Sequence, residues 1–247
     1  MSTKSEWKNG ILTFYDGETH ERVGPQAPLV FCDDFIYPSL VIPDSAALES
    51  GVRWCKKITA AAGAPTVVLV ANSANGLVEC ALHATNEKED AALYHGDNRS
   101  FSLEQGCIFE CRAKLSVLPA DVAEIVFGLV GAWADGPDAI LYSVFFTADG
   151  SGLIYCEMDD NVTDRSVTSG ITVLATEWHT YRIDATDIAD VKFYIDGVGV
   201  ALGTTFAYAA TGANAILQPY LGCYKAAAAA ALGNIQVDFV RIYQKRS

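Results

Sequence analysis

The stretch that decides the fold is EWHTYRID at residues 177–184, followed closely by DVKFYIDG at residues 190–197. In both segments apolar and polar side chains alternate, which is the period of a strand with one buried face. The second segment ends in Asp196 and Gly197, a pair that favours a primed hairpin turn because both residues tolerate positive φ. The predicted buried face of this strand pair carries Tyr181, Ile183, Val191, Phe193 and Ile195.

Two further blocks lie near the ends of the chain. DDF occupies residues 33–35, with Trp54 following it, and DFVRIYQ occupies residues 238–244. Together with the hairpin, these blocks resemble concanavalin A-like jelly rolls, the group that includes laminin-G-like lectin domains and laminarinase-type β-glucanases. The resemblance implies an all-β jelly-roll β-sandwich of two antiparallel sheets, with its first and last strands as neighbours. That fold serves both binding proteins and enzymes, so function must be argued from individual residues.

The chain divides into a body and an extended N-terminal arm. From residue 29 to residue 247, short strand-like runs alternate with turn signals, as expected for one sandwich domain. The alanines of residues 226–231 are too few to hold a helix in water, so we predict a loop between the last two strands.

Residues 1–28 form the predicted arm, which is polar apart from one aromatic and apolar cluster. So short an arm cannot fold alone, and its apolar side chains must pack on the body or on another subunit. We expect the arm to bind a partner subunit, because small arms of this kind often anchor assemblies. Its candidate contact residues are Trp7, Ile11, Leu12, Phe14 and Tyr15.

Composition excludes several classes of protein. The net charge of −13 repels phosphate backbones, which argues against nucleic-acid binding. No apolar run approaches the roughly 20 residues that cross a bilayer, and the start lacks a secretory signal, which predicts a protein made and kept in a cytosol. The seven cysteines are an odd number without Cys-x-x-Cys spacing, so we expect free, reduced thiols and neither disulfides nor a zinc site.

The chain carries only part of the catalytic motif of the glucanases that it resembles. The resembled glucanases carry Glu-x-Asp-x-x-Glu on one strand, where one glutamate attacks and the other is the acid. The nearest match begins at Glu157 and Asp159, but residues 161, 162 and 163 are Asn, Val and Thr. Since one carboxylate cannot perform both roles, we predict no catalytic residues and no enzyme activity.

The resemblance also implies that the chain could hold a structural calcium ion. Several concanavalin A-like folds hold one Ca²⁺ between the first and last strands, using an aspartate of the closing strand. Asp238 matches that aspartate, and Asp33 or Asp34 lies in the neighbouring opening strand. Calcium needs about 6–8 oxygen ligands. The alternative is that Asp238 only bonds its neighbours, so no cofactor is predicted beyond a possible Ca²⁺ held by Asp238 and Asp34.

Carbohydrate binding would require exposed aromatic rings beside polar groups. Trp133 lies on a predicted loop and could stack on a sugar, and Tyr142 could line the same sheet, as could Tyr155 and Tyr224. In β-sandwiches, however, aromatic side chains pack in the core more often than they contact a ligand.

Three functions remain open. The favoured hypothesis is a non-enzymatic structural protein of a bacteriophage particle, because the arm and body resemble tailed-phage virion proteins that decorate or cement the capsid. It implies a virion location after synthesis in the host cytoplasm, a homo-oligomer, and a partner such as the major capsid protein, with no nucleic acid or membrane. The alternatives are a lectin-like module that binds host glycans and, less favoured, a laminarinase-like glycoside hydrolase.

Overall fold

The computed structural model describes residues 3–8, 11–16, 29–37, 41–44, 53–120 and 122–245. From Leu29 onward the described regular elements are strands and short 3-10 turns, in agreement with the predicted all-β class. The strands in chain order are β1 (Thr3–Lys8), β2 (Ile11–Asp16), β3 (Leu29–Asp33), β4 (Cys55–Thr59), β5 (Thr66–Leu69), β6 (Val78–Ala81), β7 (Glu87–Tyr94), β8 (Phe101–Ser102), β9 (Cys107–Val117), β10 (Ala123–Val130), β11 (Ser143–Ala148), β12 (Leu153–Asp159), β13 (Asp164–Thr172), β14 (His179–Ala185), β15 (Lys192–Ile195), β16 (Val198–Val200), β17 (Ile216–Ala229) and β18 (Asn234–Gln244).

Two antiparallel sheets form the body. Sheet I has the strand order β13-β12-β11-β10-β17-β7-β4, and β8 pairs with the start of β17. Sheet II has the order β16-β15-β14-β9-β18-β6-β5, and β3 pairs with β18. These layers confirm the predicted jelly-roll sandwich.

The core lies between the two sheets and depends on aromatic contacts across them. Phe127 and Phe146 of sheet I stack with ring centroids 5.6 Å apart. Tyr181 of sheet II meets Phe127 edge-on at 4.7 Å, and Phe193 meets Phe146 at 5.2 Å. All four side chains are almost fully buried. The alternating stretch at residues 177–197 therefore supplies the buried face that its pattern predicted.

The turn after β15 also agrees with the sequence. Asp196 and Gly197 have φ of 51° and 78°, the positive values that a primed turn requires. The Asp196 carboxylate accepts a hydrogen bond from the Thr180 backbone N–H at 2.8 Å, and His179 Nδ1 lies 2.7 Å from its other oxygen. This aspartate thus ties the turn to the start of β14.

The opening and closing blocks are neighbours, as the resemblance implied. Asp33 at the end of β3 lies opposite Val240 of β18. The buried Asp33 carboxylate accepts hydrogen bonds from the Phe35 N–H at 2.8 Å, from Trp54 Nε1 at 3.0 Å, and from the Tyr37 hydroxyl. The DDF block is therefore a structural junction that joins β3 to the segment carrying Trp54.

The prediction of a loop at residues 226–231 is wrong for most of that segment. β17 continues to Ala229, which pairs with Glu87 of β7 after a shift in register beyond Lys225. A bulge inserts extra residues while the strand goes on pairing. Pairing with the partner strand therefore overrides the weak intrinsic preference of alanine for strands.

The N-terminal arm contains a hairpin of its own. β1 pairs with β2 from Thr3 opposite Asp16 to Lys8 opposite Ile11, and within the described chain neither strand pairs with sheet I or sheet II. Residues 17–28 lie outside the described residues, as do the side chains of the predicted contact residues Trp7, Ile11, Leu12, Phe14 and Tyr15. Partner binding by the arm and the boundary after residue 28 stay predictions.

The cysteines agree with the expectation of free thiols. All seven are free, and six are buried, with only Cys32 exposed. Burial raises the pKa of the Cys107 thiol to about 12, which keeps it protonated and unreactive. In the described part of the chain, no helix is long and apolar enough to cross a membrane.

Candidate functional site

Sheet I carries an acidic pocket on its outer face. Along β12, Ile154, Cys156 and Met158 point into the core, so the alternate residues Glu157 and Asp159 lie on the outer face. The same alternation places Glu124 of β10 on this face, since its neighbours Ala123 and Ile125 are buried in the core. Pairing of β10, β11, β12 and β13 brings these carboxylates to one side of the sheet.

The pocket consists of two adjoining cavities of about 270 and 260 Å³. Asp138, Glu157 and Ser166 line both of them. The acidic residues lining one or both cavities are Glu124, Asp138, Asp149, Glu157, Asp159 and Asp164. No lysine or arginine is among the described residues that line them, so the pocket favours protons, cationic groups and hydroxyl donors.

Glu157 lies where the two cavities meet. Its Oε1 accepts hydrogen bonds from Thr147 Oγ1 at 2.8 Å and from Ser166 Oγ at 2.9 Å. Burial raises the pKa of Glu157, the two hydroxyls oppose that rise, and the charges of Asp138 and Asp164 add to it. Two hydroxyl donors therefore hold one oxygen of a carboxylate that is partly shielded from water.

Glu124 is the most perturbed carboxylate of the pocket. Burial, followed by repulsion from Asp138 and Glu157, raises its pKa to about 7. A carboxyl group of this kind is substantially protonated at neutral pH and can donate a proton. Glu124 and Glu157 thus form a pair of interacting carboxylates in one cavity, which is the pattern of groups with divided acid and base roles.

Other acids of this region have structural roles. Burial opposes ionisation of Asp149, but hydrogen bonds from Ser151 and Tyr155 together lower its pKa. Asp160 is buried and accepts backbone N–H bonds from Thr163 at 2.7 Å and Ala209 at 2.8 Å. These aspartates hold the turns at either end of β12.

Of the aromatic residues predicted to contact a sugar, Tyr155 lines one of the cavities, whereas Trp133 and Tyr142 line neither. Trp133 is partly buried, and its indole Nε1 donates to Asp90 Oδ2 at 3.0 Å. The ammonium of Lys57 lies 4.9 Å from the centre of its ring. Tyr142 is partly buried against the core, and its carbonyl accepts the Gly131 N–H. Sugar binding by Trp133 and Tyr142 stays a prediction.

The two proposed calcium ligands lie in different surroundings. Asp238 forms an ion pair with Arg112 at 2.6 Å, whereas Asp34 is exposed beyond the end of β3. Across the described ranges, no group of three or more His, Cys, Asp or Glu side chains is placed to hold a metal ion. The calcium site remains a prediction that rests on the resemblance.

Glu124, Thr147 and Ser166 escaped the sequence analysis. The string AEIVFGLV of β10 reads as a continuous apolar run, so its single glutamate carries no motif. The one available signal was a single charged residue within an apolar strand, and one glutamate alone does not indicate a pair of catalytic carboxylates.

No known family matches the sequence, and no curated protein does either. Among solved structures, an endo-acting O-glycanase from the human gut microbiota is similar, with a TM-score of 0.57 and 16% identity, covering 87% of this chain and 99% of its own. A putative β-glucanase from Mycobacterium abscessus gives a TM-score of 0.55 at 17% identity, covering 86% and 98%. The carbohydrate recognition domain of Emp47p gives 0.51 at 10% identity, covering 83% and 95%.

The fold is that of concanavalin A-like lectins and glucanases. The prediction that the chain is not an enzyme is corrected by these neighbours, because several solved structures with this fold are glycanases, β-glucanases or glycosyl hydrolases. That prediction rested on a missing one-strand motif. It failed to consider carboxylates that come from different strands, such as Glu124 and Glu157. None of the three similar structures described above is connected by its description with a bacteriophage.

Proposed function

We propose that this chain hydrolyses glycosidic bonds in the acidic pocket of sheet I. The observation that carries the proposal is the carboxylate pair of Glu124 and Glu157 in one cavity, with the pKa of Glu124 raised to about 7 by burial and by its acidic neighbours. Glycosidic hydrolysis requires one carboxylic acid and one carboxylate flanking the bond. The glycanases and glucanases that share the fold support the choice of substrate class.

Each carboxylate has a role that its surroundings favour. Glu124, whose raised pKa keeps a large fraction of it protonated near neutral pH, donates its proton to the leaving glycosidic oxygen as the bond to the anomeric carbon breaks. Glu157, whose ionised form is stabilised by the Thr147 and Ser166 hydroxyls, accepts a proton from the attacking water. The water oxygen becomes the new anomeric hydroxyl, so the proton taken by Glu157 balances the one given by Glu124.

The test is the release of new reducing ends from soluble β-1,3-glucan, mixed-linkage β-glucan and mucin O-glycans. We expect Glu157→Gln to lower the rate by about 10²–10⁴-fold, the usual contribution of a general base. Glu110→Gln is the matched control, because Glu110 lies on β9 in sheet II and should leave the rate unchanged. A wild-type rate of zero on every substrate, or an undiminished rate in Glu157→Gln, would contradict the proposal. Binding without cleavage would support the lectin-like alternative.

A second candidate function is a structural role in a bacteriophage particle, and the hairpin of β1 and β2 favours it. An isolated two-stranded hairpin is marginally stable in water, so it gains stability when it packs on another surface. This hairpin pairs with neither sheet within the described residues. Under this proposal the arm joins the body to a virion subunit such as the major capsid protein, and the chain forms a homo-oligomer in the particle.

Deletion of residues 1–24 tests the second candidate. The sandwich is expected to stay folded, because the described strands of sheets I and II begin at Leu29, while incorporation into particles is lost. Circular dichroism checks the fold, and co-sedimentation with capsid shells measures incorporation. Undiminished incorporation of the deleted form would exclude the arm as the anchor.

A further inference from the structure

A loop crosses the outer face of sheet I beside the pocket. This cross-face loop, residues 131–142, leaves β10 at Val130 and returns to β11 at Ser143. The Gly131 N–H donates to the Tyr142 carbonyl at 2.6 Å, which closes the neck of the loop. A loop of this length with its ends joined is a compact Ω-like loop, packed by its own side chains.

Polar bonds fix the first half of the cross-face loop to β7, to the turn after β7 and to β17. Gln218 Nε2 donates to the Gly131 carbonyl at 2.7 Å, and the Trp133 N–H donates to Asp97 Oδ1 at 2.7 Å. Lys88 Nζ lies 2.6 Å from Asp135 Oδ2. With the bond from the Trp133 indole to Asp90, these contacts hold the loop against the sheet.

The first half of the cross-face loop runs parallel to β17, from one end of the outer face of sheet I almost to the other. It starts beside Val130, which pairs with Gln218 at one end of β17. By Gly136 it has reached Tyr224, because a Cβ on this glycine would lie 2.9 Å from the Tyr224 hydroxyl. Tyr224 pairs with both Asp90 and Glu124, so this row of residues marks the opposite end of the pocket face.

An apolar cluster seals the loop onto the sheet. Ile140 is 2% exposed and packs with Phe145 and Tyr220, which are 3% and 1% exposed. Trp133 and Ala134 pack against the same cluster. No passage for a chain therefore remains beneath this part of the loop.

The second half of the loop is a wall of the acidic pocket. Pro137, Asp138 and Ile140 line its cavities from the side of β17. On the opposite side the pocket reaches β13, the edge strand of sheet I, where Asp164 and Ser166 are exposed. The pocket is thus closed towards β17 and open towards the β13 edge.

We propose that the cross-face loop makes this pocket a site for the end of a glycan chain, because a chain lying across the strands would have to stop at the loop. This inference rests on the proposed function and adds the part of the substrate that the site accepts.

The experiment compares viscosity with reducing ends during digestion of whichever of soluble β-1,3-glucan, mixed-linkage β-glucan and mucin O-glycans the wild type cleaves. Release from chain ends raises reducing ends while viscosity stays high, whereas internal cleavage lowers viscosity early. We expect the first pattern for the wild type. A variant with residues 132–141 replaced by four glycines should shift to the second pattern, because the groove across the strands is then open.

Because shortening the loop exposes Phe145 and Tyr220, a milder variant accompanies it. Trp133→Ala removes the indole bond to Asp90 and should shift the pattern part of the way, while Trp178→Ala, on the segment before β14 in sheet II, should not. Early loss of viscosity with the wild type, or patterns that do not differ between wild type and both loop variants, would overturn the inference and leave the proposed hydrolysis intact. Absence of cleavage of all three substrates by the wild type and by both loop variants would instead refute the proposed function and the inference with it.

Discussion

Replacing Lys225 with alanine is expected to destabilise the sandwich by about 3–5 kcal/mol, the usual cost of leaving one partner of a buried ion pair alone. The Lys225 and Glu89 side chains are both 0% exposed, and Lys225 Nζ lies 3.2 Å from Glu89 Oε2. Nζ also donates to the carbonyls of His83 and Thr85 at 2.6 Å each. Alanine therefore removes the counter-charge of a buried carboxylate and the donor for two carbonyl groups.

Glu89 makes this substitution especially costly. Its Oε1 already lacks a hydrogen-bond partner in the described chain, and the His83 N–H is the other donor to Oε2, at 2.8 Å. The free energy of unfolding from urea titration measures the loss. Lys88→Ala is the matched control, since the Lys88 ion pair with Asp135 is partly exposed and its removal should lower the free energy of unfolding far less. A loss below about 1 kcal/mol for Lys225→Ala would contradict the account.

The second large effect concerns activity. Glu124→Gln is expected to lower the hydrolytic rate by about 10²–10⁴-fold, because the amide cannot donate the proton that the leaving oxygen requires. In the wild type, burial and the charges of Asp138 and Glu157 raise the pKa of Glu124 to about 7. The acid is protonated below that pH, so the wild-type rate should decline as pH rises through 7. The decline is measured by recording the hydrolytic rate against pH for the wild type, Glu124→Gln, Glu157→Gln and the Glu110→Gln control.

The Glu124 carboxyl group also makes the stability of the folded chain depend on pH. Its pKa is higher in the folded chain than in the unfolded one, so its contribution to stability is fully present only below the ordinary glutamate pKa of 4.5 and is lost as pH rises from there through about 7. In Glu124→Gln this decline should become shallower. A wild-type rate that rises between pH 7 and 8, or a variant that retains the wild-type rate, would exclude Glu124 as the acid.

The sequence predicts the fold well because the decisive signals are local. The alternation around Tyr181 and Phe193 and the turn at Asp196 each depend on residues close in the chain, and they lie in the structure as expected. The alanines after Lys225 were misjudged because their partner, Glu87, is distant in sequence, and strand pairing outweighs intrinsic propensity.

The candidate site could not be predicted in the same way. Its carboxylates come from β10, β12 and the cross-face loop, and only the pairing order of sheet I brings Glu124, Glu157 and Asp138 together. Burial of Glu124 depends on the same assembly, so its raised pKa has no sequence signature. The sequence analysis noted Glu157 as the first position of an incomplete glucanase motif, but it found no second glutamate and predicted no catalytic residue.

The pairing of β3 with β18 has a consequence for how the molecule forms. β18 lies between β9 and β6 in sheet II and also pairs with β3, so one strand near the end of the described chain completes contacts with residues near the start. Closing such a long loop costs entropy before the paired strands contribute stability, which slows folding of sheet-rich topologies. Sheet II should therefore assemble late and as a unit, and a nascent chain lacking β18 would expose apolar edges that need protection from aggregation.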